Sequence, residues 1–385
     1  MLETGKITDR QIRSMAFLMT MGGIFVIGGT KEAGEESYLS ALLAVIPTLP
    51  LYALYEHLLT RAGQGGLFAL CKQCFGTLFG KIAIALFGVY AVIIGTAVAG
   101  NYLNFIHTVF LTDTAFLVVG ILSAAAITFM VRCGRMAMAR VSRMVQYAVI
   151  GTLSVTLVLS LFAIDLDHFP YPMLYHGLQP VAAGAFSIFT VPFGDVIILL
   201  PLLDGTSGRR GSRNLIRGAG MTWVLLTLVF LRNVLALGPA SYGILFFKSF
   251  VAVRIVSVGA FFQRMEILVS VIYILCDTVK LALCVQCLTK CLNELTGRTE
   301  QRENPLFAAP SALLMIGLAA VFVSNQRYIT LFLQTHKYLA LPFTVVLPCL
   351  LALTERLRRN SRNGQFPTGC TASSAPVCER GIRRS

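Results

Sequence analysis

The chain has 385 residues, of which 56% are hydrophobic and 13% charged, a formal net charge of +14 and a mean hydropathy of +0.74. Hydropathy that high excludes a soluble globular chain. No basic stripe interleaved with aromatics lies on a soluble segment, which excludes nucleic acid as the reason for the charge. The composition is that of an all-α polytopic membrane protein.

A spanning helix needs roughly 20 mostly apolar residues. Ten stretches qualify, at about 12–29, 38–59, 81–105, 114–132, 143–163, 183–203, 215–238, 264–288, 306–324 and 338–354. Together they make a membrane domain over 1–355, followed by a basic tail over 356–385. Lys6, Arg10 and Arg13 precede the first stretch in the manner of a signal peptide. No small-residue cleavage pattern follows, so this is read as the first span.

The first span is interrupted at Gly22-Gly23 and again at Gly28-Gly29. The sixth, AGAFSIFTVPFGDVIILLPLL, is interrupted by Val191-Pro192-Phe193-Gly194-Asp195. Proline removes a backbone donor and clashes with the preceding turn, and glycine weakens a helix. Two broken helices in matching positions of two halves point to a midplane binding site between inverted repeats. At such a site, unwound backbone and half-helix ends receive the charged groups of a ligand. The candidates are Gly22, Gly23 and Ile24 in the first span, and Thr190, Val191, Phe193 and Gly194 in the sixth. The plainer alternative is that the glycines only let helices pack closely.

The connecting segments alternate in charge. Of the 32 basic residues, 24 fall in alternate loops and the two termini, seven in the opposite loops, and Lys280 lies within a span. By the positive-inside rule both termini are expected in the cytoplasm. Residues 164–182 form an outer loop. Residues 239–263 are apolar but punctuated by Lys248 and Arg254, which suits a helix pair at the outer interface rather than an eleventh span. The Arg- and Ser-rich tail is expected to be disordered.

The ten cysteines show no paired extracellular layout and are expected to be free thiols. Cys71-x-x-Cys74 and Cys284-x-x-Cys287 are read as packing residues in preference to a zinc site. His107, His168, His176 and His336 are placed in outer loops without metal-ligand spacing. No nucleotide loop, zinc-hydrolase motif or nucleophile–base arrangement is visible, so neither an enzyme nor a cofactor is expected.

Asp195 lies deep in an apolar run, where a carboxylate is expensive unless it faces protein or water. It is a candidate for pairing with a base, gating water or carrying a proton. Asp277 and Lys280, at i and i+3 of the eighth span, share a helix face and are close enough to pair with each other.

Several short motifs in order give the chain a resemblance to the spore germination permease family. This is the B-subunit class of nutrient germinant receptors, within the amino acid–polyamine–organocation superfamily. Lys6-Ile7-Thr8 with Gln11 resembles the family's opening K-I-[ST]-x-x-Q. Ala33-Gly34 with Tyr38 and Ser40 resembles A-G-x-x-x-W-I-S, with tyrosine for tryptophan. Gly76 with Gly80-Lys81 resembles the entrance to the third span. Gly134 through Arg140 resembles G-x-E-x-x-A-R without its acid. Gly194, Asp195 and Pro201 resemble G-x-E-x-x-x-x-x-P, with aspartate for glutamate and one residue fewer before it. VRIVSVGAFFQRME, ending at Glu266, resembles V-R-x-I-S-x-x-x-F-x-x-R-x-E and is the most specific. Gly29 stands where family members usually carry proline.

The resemblance implies ten spans in a five-plus-five inverted repeat of the LeuT type, with the first and sixth helices broken. It implies partnership with an A-type membrane subunit and a C-type lipoprotein in the spore inner membrane, and a small nutrient ligand such as an amino acid. It places Ile94 and Val98 of the third span against that ligand, giving the pocket an apolar wall. In sodium-coupled relatives of this architecture the eighth span and the unwound first span hold a cation. The Lys280 ammonium is expected to take that place. The alternatives are a secondary transporter and, less favoured, a water or ion channel.

Overall fold

The computed structural model describes residues 7–111, 113–162, 164–169, 174–175, 177–204, 208–255, 265–297, 305–323 and 335–363. Among these there is no strand. The helices in chain order are α1 (Asp9–Met21), α2 (Ile24–Ile27), α3 (Ser37–Ala62), α4 (Gly66–Val109), α5 (Phe116–Arg132) and α6 (Arg135–Ser160). They continue with α7 (Leu178–Ile188), α8 (Gly208–Ile244), α9 (Lys248–Ile255), α10 (Met265–Leu295), α11 (Ala308–Val323) and α12 (Leu347–Asn363). A widened turn over Phe189–Phe193 and a tight helix over Gly194–Leu203 carry α7 onward. A second widened turn, Pro342–Val346, leads into α12.

The K-I-T-x-x-Q opening is a helix start. The Thr8 N–H donates to Gln11 Oε1 at 2.8 Å, which satisfies a backbone donor that α1 itself leaves open. The glycines of the third-span entrance form a bend. Gly76 has φ +83°, and a side chain on Gly80 would run into the Lys72 backbone at 2.7 Å. Gly76 thus turns the chain and Gly80 lets the two limbs of α4 touch.

Seven segments are long and apolar enough to cross a membrane, and α5 and α11 are shorter apolar helices. Their outward faces are apolar as well. Leu117, Leu122 and Phe129 of α5 are 66%, 66% and 72% exposed, and Met144 and Val158 of α6 are similarly bare. Soluble proteins rarely expose apolar surface on that scale, whereas lipid tails accept it. The chain is an all-helical, multi-pass membrane protein.

Buried at the centre are α1 and the segment Gly194–Leu203, every residue of which is buried. Around them α1 packs on α6 and α8, α3 on α7 and α8, and α10 on α4, α5 and α6. The α3–α8 contact is pinned by Trp223, whose indole N–H donates to the Ala41 carbonyl at 2.8 Å.

One expectation changes. The last helix runs to Asn363, nine residues past the expected end of the span, so the first part of the basic tail is helical. In the 239–263 region, α8 continues past a break at Gly238 (φ +73°) to Ile244, and α9 follows with eight residues. At 1.5 Å per residue α9 is about 12 Å long, too short to span, and it packs on α8, α10 and α2. Most of the VRIVSVGAFFQRME stretch, His176, and residues 364–385 lie outside the described residues.

Candidate functional site

The first break follows from Gly22 and Gly23. Gly22 has ψ −139°, which ends α1, and α2 then makes a single turn before Gly28 at φ +74°. Inside a bilayer each freed backbone group needs a protein partner. Those of α2 are supplied from α8 and α9. Asn233 Nδ2 and the Tyr242 hydroxyl donate to the Gly28 carbonyl at 3.2 and 2.8 Å, and the Ser249 hydroxyl donates to the Phe25 carbonyl at 2.6 Å. A side chain at Gly28 would strike Asn233 Nδ2 at 2.4 Å, so only glycine fits this latch.

The second break follows from Pro192. Val191 is extended (φ −137°, ψ 115°) between helical neighbours. The Thr190 hydroxyl donates to the Phe186 and Ser187 carbonyls of its own helix. The carbonyls of Phe193 and Gly194 are taken by α3. Tyr52 donates to the first at 3.2 Å and Tyr55 to the second at 3.3 Å. The Tyr55 hydroxyl also donates to the Thr344 carbonyl at 2.9 Å, in the widened turn before α12. One phenol thus serves two irregular segments.

Between the breaks lies a cavity of about 240 Å³. Of the residues singled out from sequence, Gly23, Ile24, Ile94, Val98, Val191, Asp195, Asp277 and Lys280 line it. Gly22 does not line it but lies against Lys280. A Cβ there would sit 2.9 Å from Lys280 Cδ and 3.0 Å from Asp277 Oδ1. Thr190, Phe193 and Gly194 are buried beside the cavity, committed to the bonds just described or, for Gly194, packed on Thr344.

Sequence reasoning missed several lining residues. Asn101 follows Ile94 and Val98 at helical spacing on the same face of α4, a signal that was available. His336, expected in an outer loop, lies instead at the start of the last helical segment and lines the cavity.

The ionic arrangement also differs from the expected i, i+3 pair. Lys280 Nζ lies 3.2 Å from Asp195 Oδ2, an ion pair between α10 and the second break rather than within α10. The Tyr90 hydroxyl of α4 donates to the other Asp195 oxygen at 3.0 Å. A lysine stem is long enough to cross between helices, and Asp195 offers it a second supporting donor that Asp277 lacks. Asp277 has no ion pair within 4 Å and neither oxygen meets a donor at good hydrogen-bonding geometry, the Tyr273 hydroxyl one turn earlier being its side-chain neighbour.

Further ion pairs join the helices. At the cavity mouth Lys337 Nζ meets Glu32 Oε1 at 2.5 Å, and both residues line the cavity. Away from the cavity lining, Lys290 pairs with Asp204, Lys72 with Glu294, and Glu355 with His57 and Arg61 at 3.4 and 3.5 Å. The eight cysteines among the described residues are free.

The family profile described as "Spore germination protein" matches residues 6–331. The chain belongs to the spore germination protein family. Spore germination protein KB of Bacillus subtilis (strain 168) is 21% identical over 374 residues, spanning 94% of this chain and 99% of that one. Two solved structures share the fold. One is a Na⁺-coupled sialic acid symporter in a substrate-bound outward-open state, with TM-score 0.61, 10% identity, and coverage of 89% of this chain and 80% of that one. The other is a nucleobase-cation-symport-1 family transporter in a closed conformation with bromovinylhydantoin bound, with TM-score 0.63, 13% identity, and coverage of 88% and 77%. This spore germination protein therefore has a transporter-like membrane fold.

Proposed function

We propose that this chain is the nutrient-sensing B-type membrane subunit of a spore germinant receptor. It takes a small nutrient such as an amino acid into the cavity between its two broken helices and passes occupancy to an A-type membrane subunit and a C-type lipoprotein. The observation that carries this reading is the cavity itself. In a member of the spore germination protein family it sits at the junction of α1–α2 and the 189–193 turn, lined by charged and apolar groups together. The seven long apolar segments, the two shorter ones and the interrupted first helix support a reading of ten spans, which we assign to a five-plus-five inverted repeat. The charge bias supports a reading with both termini in the cytoplasm and the Glu32–Lys337 pair on the outer side of the spore inner membrane.

Occupancy signals only through different affinities for two conformations. The Glu32–Lys337 pair at the cavity is a contact whose making and breaking would distinguish those conformations. A secondary transporter is the second reading, supported by the transport proteins that share the fold. Measuring binding and uptake of radiolabelled amino acids by the purified protein in proteoliposomes separates them. Binding without uptake supports the receptor. Concentrative uptake without partner subunits overturns it in favour of transport.

A further inference from the structure

Among the charged groups of the cavity lining that are fully buried, two carboxylates stand against one ammonium. Asp195 and Asp277 are 0% and 1% exposed, and Lys280, the ammonium between them, is 4% exposed. Lys280 is spent on Asp195, where the Tyr90 hydroxyl completes a neutral, hydrogen-bonded cluster. Asp277 remains a buried carboxylate that lines the cavity, with both oxygens lacking a hydrogen-bonding partner among the described residues. A carboxylate in a low-dielectric interior is costly to keep ionised unless a cation joins it.

The surroundings of Asp277 indicate which cation fits. A side chain built on Gly23 would lie 3.7 Å from Asp277 Oδ2 and 3.7 Å from Asn101 Nδ2, so carboxylate, amide and bare glycine backbone share one corner of the cavity. From that corner the wall continues through Ile24, Ile94 and Val98, which offer only apolar contact. A group with several hydrogens to donate, attached to a small apolar body, matches both surfaces. The cavity is also below the roughly 300–1,000 Å³ of drug-sized sites, which limits the body to a small molecule.

We infer that Asp277 is the anchor for a protonated amine on the ligand, and that this spore germination protein selects small amines or amino acids with an apolar side chain. The inference rests on the nutrient-binding reading above and names its recognition element. It assigns the two carboxylates different work: Asp195 holds the α10 lysine, and Asp277 holds the ligand.

The test uses the full chain in nanodiscs with alanine, valine and leucine as probes, followed for each binder by the analogue lacking the amine and the analogue lacking the carboxylate. The amine-bearing compounds should bind, and the deaminated carboxylate should bind at least about thirtyfold more weakly, the loss typical of removing one partner of a buried charge pair. Asp277→Asn should lose binding by a similar factor while the ligand-free protein is no less stable than the parent. Asp277→Glu should restore part of the affinity. Equal binding of the deaminated analogue, or unchanged binding by Asp277→Asn, overturns the inference while leaving the nutrient pocket in place. Destabilisation of ligand-free Asp277→Asn would show a structural ion pair instead. A sodium-dependent stabilisation lost in Asp277→Asn would show a metal-ion site instead. If none of the probes binds the parent protein, the nutrient-pocket reading falls first and this one with it.

Discussion

Removing Lys280 should cost far more than removing Lys280 and Asp195 together. At 3.2 Å and an effective dielectric of about 20, the Asp195–Lys280 attraction is about 5 kcal/mol, set against the cost of taking both charges out of water. Lys280→Met leaves Asp195 and Asp277 facing each other in a buried site without a cation. The expected loss is about 3–5 kcal/mol, the cost of breaking a buried pair from one side. Asp195→Asn/Lys280→Met returns the site to one unpaired carboxylate, as in the parent, and should recover at least about 2 kcal/mol of that loss. Asp195→Asn alone should be the mildest, because Lys280 can turn to Asp277 one turn away on its own helix. The assay is reversible unfolding in mixed micelles, read from Trp223, the one tryptophan in the chain, which reports the α3–α8 contact through its bond to Ala41. If Lys280→Met unfolds within about 1 kcal/mol of the parent, or the double variant is no more stable than Lys280→Met, the pair does not hold α10 to the second break.

Tyr55→Phe strips the donor shared by the Gly194 and Thr344 carbonyls and should cost about 1–3 kcal/mol in the same titration; a neutral result would mean both carbonyls find other donors. Lys248 on α9 is 7% exposed with its ammonium over the Tyr242 ring, and burial pushes it down from 10.5 to about 8. Between pH 8 and 10.5 the unfolded chain therefore holds more protons than the folded one, so stability should rise with pH across that window, by at most about 3 kcal/mol. Lys248→Met should abolish that rise, and an unchanged pH profile in the variant would sink the assignment.

Both breaks were legible because Gly22-Gly23 and Pro192-Phe193-Gly194 interrupt runs that are otherwise uniformly apolar. The backbone consequences were not. Tyr52 and Tyr55 read as large side chains filling a span, and nothing in their spacing on α3 shows that their hydroxyls serve carbonyls some 140 residues later. The Asp277–Lys280 spacing showed proximity along one helix, but a partner is chosen in three dimensions. The lysine reached a carboxylate 85 residues earlier that already had Tyr90 to support it. Helical spacing from Ile94 and Val98 leads to Asn101, so one polar group of the cavity could have been read without coordinates. His336 could not, because the boundary of the last span was drawn two residues past it.

The four residues of α2 make a single turn between two breaks, with Phe25 and Val26 buried in the core. Gly22 bounds them at one end and Gly28 at the other, while Ser249 of α9 holds the Phe25 carbonyl and Asn233 and Tyr242 of α8 hold that of Gly28. A piece of chain about 6 Å long, held that way, travels as cargo on whatever grips it. The floor under Ile24 is therefore tied on one side to the end of α1, through the Phe25 and Ile27 N–H groups on the Gly22 and Gly23 carbonyls, and on the other to α8 and α9. A ligand pressing on that floor pushes a lever whose other arm is α9, on the surface of the molecule.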